Sequence, residues 1–203
     1  MQTLEVFADV ACPFAHVGLA RFHAVREERG LIEPVLLVRA WPLELVNSQP
    51  FDGHALAPKV AALRAAVAAD RFGGFDPERF PASSLPAMAA ESAAYRIGAE
   101  LGERFSLAVR HALFDDGLDV SDPEILGQLR RELGVPAPTA ADEAAVQDDW
   151  NEGTRRGVRG SPHFFASGTD FFCPSLQIGH DAAGYHVSFD AVGFGHFVAA
   201  VLG

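Results

Sequence analysis

Apolar and polar positions fall along the chain in three regimes. Near the N-terminus, Thr3-Leu4-Glu5-Val6-Phe7-Ala8-Asp9 is short, rich in strand formers and closed by a polar residue, which predicts a first strand. Cys12-Pro13 follows at once, then a helical segment from about Phe14 to Arg29. Pro13 suits the first helical position, where its missing N–H costs nothing, and Gly30 suits the helix end. Val35 to Trp41 is a near-continuous apolar run, the pattern of a strand buried on both faces. The opening is thus a β-α-β unit with parallel strands and a right-handed crossover.

The middle reads as helix throughout, over residues 55–156. An Ala-rich stretch runs from Ala57 to Ala69, and the loop Phe72-Gly73-Gly74-Phe75-Asp76-Pro77 follows it. Ser84 is an N-cap candidate for a helix from Leu85 to Leu101, and a further helix spans about Arg104 to Phe114. Ser121 and Glu124 have capping-box spacing for a helix through Leu133, and Thr139 to Arg156 is the last of the series. Strand patterning then returns in His163-Phe164-Phe165-Ala166 and Thr169-Asp170-Phe171-Phe172-Cys173, separated by Ser167-Gly168 as in a hairpin. A final helix covers about Asp190 to Leu202. Without its helical block the order is βαβ-ββα, the core of a thioredoxin fold. The expected division is a core of residues 1–54 and 157–203 and a helical insertion of residues 55–156, between the second and third core strands.

At 203 residues, 49% hydrophobic and 21% charged, the chain is long and apolar enough to bury a real core. It has no run of about 20 apolar residues, so no membrane span is expected. The opening Met1-Gln2-Thr3-Leu4-Glu5 lacks the basic and apolar regions of a secretory signal, and a cytoplasmic location is expected. A net charge of −11 repels phosphate backbones and argues against nucleic acid as a partner. The remaining histidines show no metal-ligand spacing, and no metal is expected. Asp115-Asp116 and Asp148-Asp149 read as solvated helix or loop ends. Composition leaves the oligomeric state open.

Two cysteines carry the candidate chemistry, Cys12 and Cys173. Cys12 stands at a strand-to-helix junction, where free N–H groups and the positive helix end favour thiolate over thiol, so a depressed pKa is expected. His16 is four residues on, on the same helix face, and is either a partner of the thiol or a plain polar helix residue. Gly157-Val158-Arg159-Gly160-Ser161-Pro162-His163 enters the hairpin. A proline at a strand start cannot join the ladder, and a cis Ser161–Pro162 bond beside Cys12 would account for it.

The segment Phe7-Ala8-Asp9-Val10-Ala11-Cys12-Pro13-Phe14-Ala15-His16-Val17-Gly18 resembles the active-site region of the DsbA-like family, particularly its FrnE-type cytosolic branch. Ala40-Trp41-Pro42-Leu43-Glu44-Leu45 and the approach Gly157 to Phe165 are similar to further parts of that branch. The resemblance implies a thioredoxin fold with thiol–disulfide exchange at Cys12, supported by Pro13, Phe14, Ala15 and His16. It also implies that Ser161 and Pro162 present backbone to a disulfide or small thiol substrate. Ala15 departs from the family pattern, since it stands where the second cysteine of C-P-x-C belongs.

Three functions stay open at this point. One is a monothiol oxidoreductase working through mixed disulfides, with no tightly bound cofactor and a small thiol such as glutathione as cosubstrate. The second is a thiol-dependent transferase or isomerase, as in the kappa-class glutathione transferases and 2-hydroxychromene-2-carboxylate isomerases. The third is a binding protein without catalysis. Cys173 is expected at the active-site end of the sheet, about 10 Å from Cys12 by strand spacing, either as a resolving thiol or as a buried packing residue.

Overall fold

The computed structural model describes every residue except Ser167 and Ala183. Ser167, read from the sequence as part of the hairpin turn, lies outside the described residues. The elements are β1 (Thr3–Ala8), α1 (Pro13–Glu28), β2 (Val35–Ala40), α2 (Leu43–Val46), α3 (Gly53–Ala66), α4 (Leu85–Ile97), α5 (Ala99–Phe114), α6 (Pro123–Leu133), α7 (Ala140–Arg155), β3 (His163–Ala166), β4 (Thr169–Phe172), β5 (Leu176–Asp181), β6 (Gly184–Phe189) and α8 (Ala191–Leu202). The main sheet has the order β2-β1-β3-β4. β1 and β2 run parallel from Thr3↔Val35 to Ala8↔Ala40, while β3 lies antiparallel to both β1 and β4.

Alternation along β1 divides the core. Leu4, Val6 and Ala8 pack with Leu19 and Phe22 of α1 and with Phe194, Phe197 and Val198 of α8. Phe197 holds this layer together, its ring 4.7 Å from that of Phe164 and 5.7 Å from that of Phe22. On the other face Phe7 meets Trp41 and Val158. There α7 comes so close that a Cβ at Gly153 would sit 2.6 Å from the Trp41 ring, so only glycine fits.

The helical insertion does not merely lie beside the sheet. β2 is an edge strand, and an edge leaves a row of backbone groups without a ladder partner. Side chains from three insertion helices take those places. The N–H groups of Leu36, Val38 and Ala40 donate to Glu103 of α5 (3.0 Å), the Tyr95 hydroxyl of α4 (3.0 Å) and Asp149 of α7 (2.9 Å). Tyr95 in turn donates to the Leu36 carbonyl. Asp149 also pairs with Arg39, so it is not the solvated residue the sequence suggested. Glu103 forms a two-pronged pair with Arg26 of α1, both buried, at 2.8 and 2.9 Å.

Several local expectations are corrected. The helix expected over Leu85–Leu101 ends at Ile97, and after extended Gly98 a new helix begins at Ala99 rather than at Arg104. Ser84 sits at the N-cap position of α4 but makes no capping bond; its hydroxyl and N–H turn to Glu44. The cap of α6 is Asp122, not Ser121, because Pro123 takes the first helical position and Asp122 accepts from the N–H groups of Glu124 and Ile125. The hairpin of β5 and β6 has no counterpart in the sequence reading. Beyond Leu176, β5 is exposed along its whole length, so no alternation marks it, and its partner β6 rests on α3.

Candidate active site

β1 ends at Ala8, and Asp9-Val10-Ala11 turns the chain into α1. Cys12 is the N-cap residue, with extended φ −89° and ψ 114°, and Pro13 follows at the first helical position. The Cys12 carbonyl accepts from the His16 N–H at 3.1 Å, which starts the helix. The Ser161–Pro162 bond is cis, and it meets Cys12 directly. The Cys12 Sγ–H donates to the Ser161 carbonyl at 3.1 Å, and the Asp9 N–H donates to the Ser161 hydroxyl at 2.9 Å. Gly18, one turn and a half along α1, faces Pro162; a Cβ there would lie 3.2 Å from the Pro162 ring.

Electrostatics at the sulfur run against the sequence expectation. Burial pushes the Cys12 thiol above its ordinary pKa, and the charge of Asp9 adds to this. Ser161 and the N–H groups of Ala15 and Phe14 pull the other way and do not win. Cys12 is 3% exposed, too dry for the helix end to hold a thiolate in the resting protein. The expected depressed pKa is thus corrected to a raised one. The bond to the Ser161 carbonyl agrees, since a sulfur can donate only while it keeps its proton.

Asp9 is the residue that sequence reasoning missed. Fully buried, it accepts from the N–H of Ala11 at 2.8 Å and of Leu43 at 2.6 Å, so it holds the turn before Cys12 against the start of α2. Burial raises its carboxyl to about 6 despite these bonds. The available signal was a charged residue ending an apolar strand, three positions before the cysteine.

The other candidates divide. Pro13 and Ala15 are buried, Phe14 is half-buried, and the Ala15 methyl packs in the core. His16 is committed elsewhere. Its Nε2 lies 3.2 Å from Asp115 and its ring packs against Phe72 and Phe114, at 5.3 and 5.2 Å between centroids. Burial keeps its pKa below the ordinary value despite Asp115. Asp115, expected in solvent, is instead a hub that also accepts from the Phe72 N–H and contacts His111. Burial alone would raise its carboxyl; its partners hold it down at about 2. Here Gly74 and Gly117 approach so closely that a Cβ on Gly117 would lie 2.0 Å from the Gly74 carbonyl oxygen.

Cys173 reaches the site through the backbone. Its N–H donates to the Pro162 carbonyl at 3.0 Å, one step beyond the last ladder pair, His163↔Phe172. It is buried and has φ 47°, a left-handed conformation uncommon for a residue with a Cβ. Among the described residues no cluster of His, Cys, Asp or Glu could hold a metal ion, and no helix is long and apolar enough to cross a membrane.

A family model described as a DSBA-like thioredoxin domain matches residues 3–180. No curated protein matches the chain. Among solved structures, cytosolic disulfide reductase DsbM from Pseudomonas aeruginosa with GSH superposes with TM-score 0.64 at 21% identity, over 83% of this chain and 87% of the other. A second structure of that reductase gives 0.61 at 19% identity, over 96% and 91%. A 2-hydroxychromene-2-carboxylate isomerase gives 0.61 at 14% identity, over 84% and 88%. At these identities the likeness is one of fold.

Proposed function

Because the chain belongs to the DSBA-like thioredoxin domain family, we propose that it is a thiol–disulfide oxidoreductase acting through Cys12 by mixed disulfides. The observation that carries this reading is the Cys12 thiol, at the start of α1, bonded to the carbonyl just before cis-Pro162. Cys12 gives up its proton and attacks one sulfur of a substrate disulfide. A sulfur–sulfur bond forms to Cys12, the substrate bond breaks, and the departing thiolate takes the proton. A second thiol then attacks the mixed disulfide and returns Cys12 to its reduced form. Glutathione suits this role as a cosubstrate, not a tightly bound cofactor, in a reducing cytoplasm. A structural neighbour was solved with GSH, which supports the choice. Ser161 and Pro162 supply the backbone edge along which the sulfur-bearing chain lies.

One observation favours a second reading. Cys12 is a buried, protonated hydrogen-bond donor, as a serine hydroxyl would be, and such a donor could steady a bound thiol in a transferase or isomerase. Mass spectrometry of the native protein separates the two. A stoichiometric glutathione adduct on Cys12 after exposure to glutathione disulfide, absent in Cys12→Ser, supports the oxidoreductase. Tight binding of reduced glutathione with no adduct supports the second reading.

A further inference from the structure

Two cysteines donate to neighbouring carbonyls, one through its sulfur and one through its backbone. Cys12 donates through its sulfur to the Ser161 carbonyl, and Cys173 donates through its backbone to the carbonyl of the next residue, Pro162. The Cys12 sulfur and the Cys173 backbone thus meet adjacent links of the same segment, from the ends of β1 and β4 on either side of β3. They also feel each other: the Cys12 sulfur is one of the two influences that raise the pKa of Cys173, burial being the larger. Cys173 adopts a left-handed φ that glycine or asparagine would take with less strain. A cysteine held there positions a side chain that a glycine would lack.

We infer that Cys173 is the resolving thiol of the reaction, closing a Cys12–Cys173 disulfide across the end of the sheet in place of the bond lost at Ala15. The inference rests on the oxidoreductase reading of Cys12. After Cys12 has formed its mixed disulfide and released the first half of the substrate as a thiol, Cys173 loses its proton and attacks the Cys12 sulfur. The second half leaves as a thiolate and takes up that proton. Substrate disulfide plus two protein thiols become two substrate thiols and one protein disulfide, a two-electron transfer. Two molecules of a small thiol such as glutathione reverse it through the same intermediate.

The resting chemistry fits this order of events. Cys173 is poorly ionised while Cys12 is free, with its pKa raised to about 12. Closure waits for a substrate-bearing Cys12, because only a sulfur already in a mixed disulfide gives Cys173 a sulfur–sulfur bond to attack. Bond closure needs Cα atoms within about 7 Å. The turn after Phe172, where Cys173 leaves the β4 ladder and its carbonyl accepts from Leu176, sets the Cys173 end of that span.

The test uses the full-length reduced protein and excess glutathione disulfide, with released glutathione counted and the protein mapped by peptide mass spectrometry. The expected result is two equivalents released and a Cys12–Cys173 linkage. Cys173→Ser and Cys173→Ala should each release one equivalent and keep glutathione on Cys12. A wild-type protein that stops at one equivalent with Cys173 free overturns the inference and leaves the Cys12 reading standing. A protein that releases nothing and gains no adduct overturns both. The wild-type map decides the matter even if neither variant folds.

Discussion

The Cys12 sulfur donates to the carbonyl of Ser161, 149 positions away in sequence, at 3.1 Å. This bond joins the start of α1 to the entry of β3, and it depends on the proton of the thiol. Its loss on ionisation adds to the cost of charging a sulfur in a dry site. Cys12 should therefore alkylate with iodoacetamide at a rate whose inflection lies above the free-thiol value of about 8.5. The denatured protein should show the ordinary value. A native inflection well below 8 would mean that the helix end outweighs burial after all.

Asp9 and Asp115 give the protein two opposite pH responses. The Asp9 carboxyl is raised in the folded state to about 6, so its share of stability is full below about 4 and is lost as pH rises to about 6. Across that range the loss comes to about 3 kcal/mol. Asp115 is held down at about 2, so its share is present above about 4 and is lost as pH falls toward 2. Urea denaturation of Asp9→Asn across pH 2 to 7 should lack the first slope, between about 4 and 6, and keep the second, below about 4. An unchanged slope in that variant would assign it to other groups.

Glu103 holds three elements at once: Arg26 of α1, the Leu36 N–H of β2 and its own helix α5. Glu103→Ala leaves Arg26 charged and buried without its partner and should cost about 3–5 kcal/mol in denaturant unfolding. Replacing both residues, Arg26→Met with Glu103→Leu, should recover most of the loss but not all of it. The Leu36 N–H still lacks its acceptor in that variant. A single substitution costing under 1 kcal/mol would show that the pair is not a stabilising element.

Gly18 is the close-packing point between α1 and Pro162. Alanine there requires the proline ring to give by a few tenths of an ångström; valine requires more. Gly18→Val should lower the rate of Cys12 adduct formation on the order of tenfold or more with far-UV circular dichroism unchanged. Wild-type rates in a folded Gly18→Val protein would show that the position of Pro162 does not matter to the reaction.

Much of the core was legible because β1, α1, β2, β3 and β4 each carry their own local signal: apolar runs, a proline at a helix start, an aromatic hairpin. The junction of Cys12 with Ser161-Pro162 was legible from a proline at a strand start together with the resemblance of both segments to the DsbA-like family. What escaped depended on partners far away in sequence. The ionisation of Cys12 is decided by how dry its surroundings are, a property of the packed molecule and not of a helix N-terminus. His16 shares a helix face with Cys12, yet Asp115 captures it from 99 positions away. Asp9 looks like a strand end until Ala11 and Leu43 are seen to bond to it. β5 escaped because exposure along its length erases the two-residue period on which strand reading depends.

The side chains that occupy the edge of β2 also restrict how the molecule can open. Three N–H groups there would exchange their protein acceptors for water if the helical insertion swung off the sheet, a net loss of about 0.5–1.5 kcal/mol each. Lifting the insertion as a rigid flap is therefore an expensive way to expose a buried sulfur. The edge of β2 thus fastens the insertion to the sheet at three points, one on each of α4, α5 and α7.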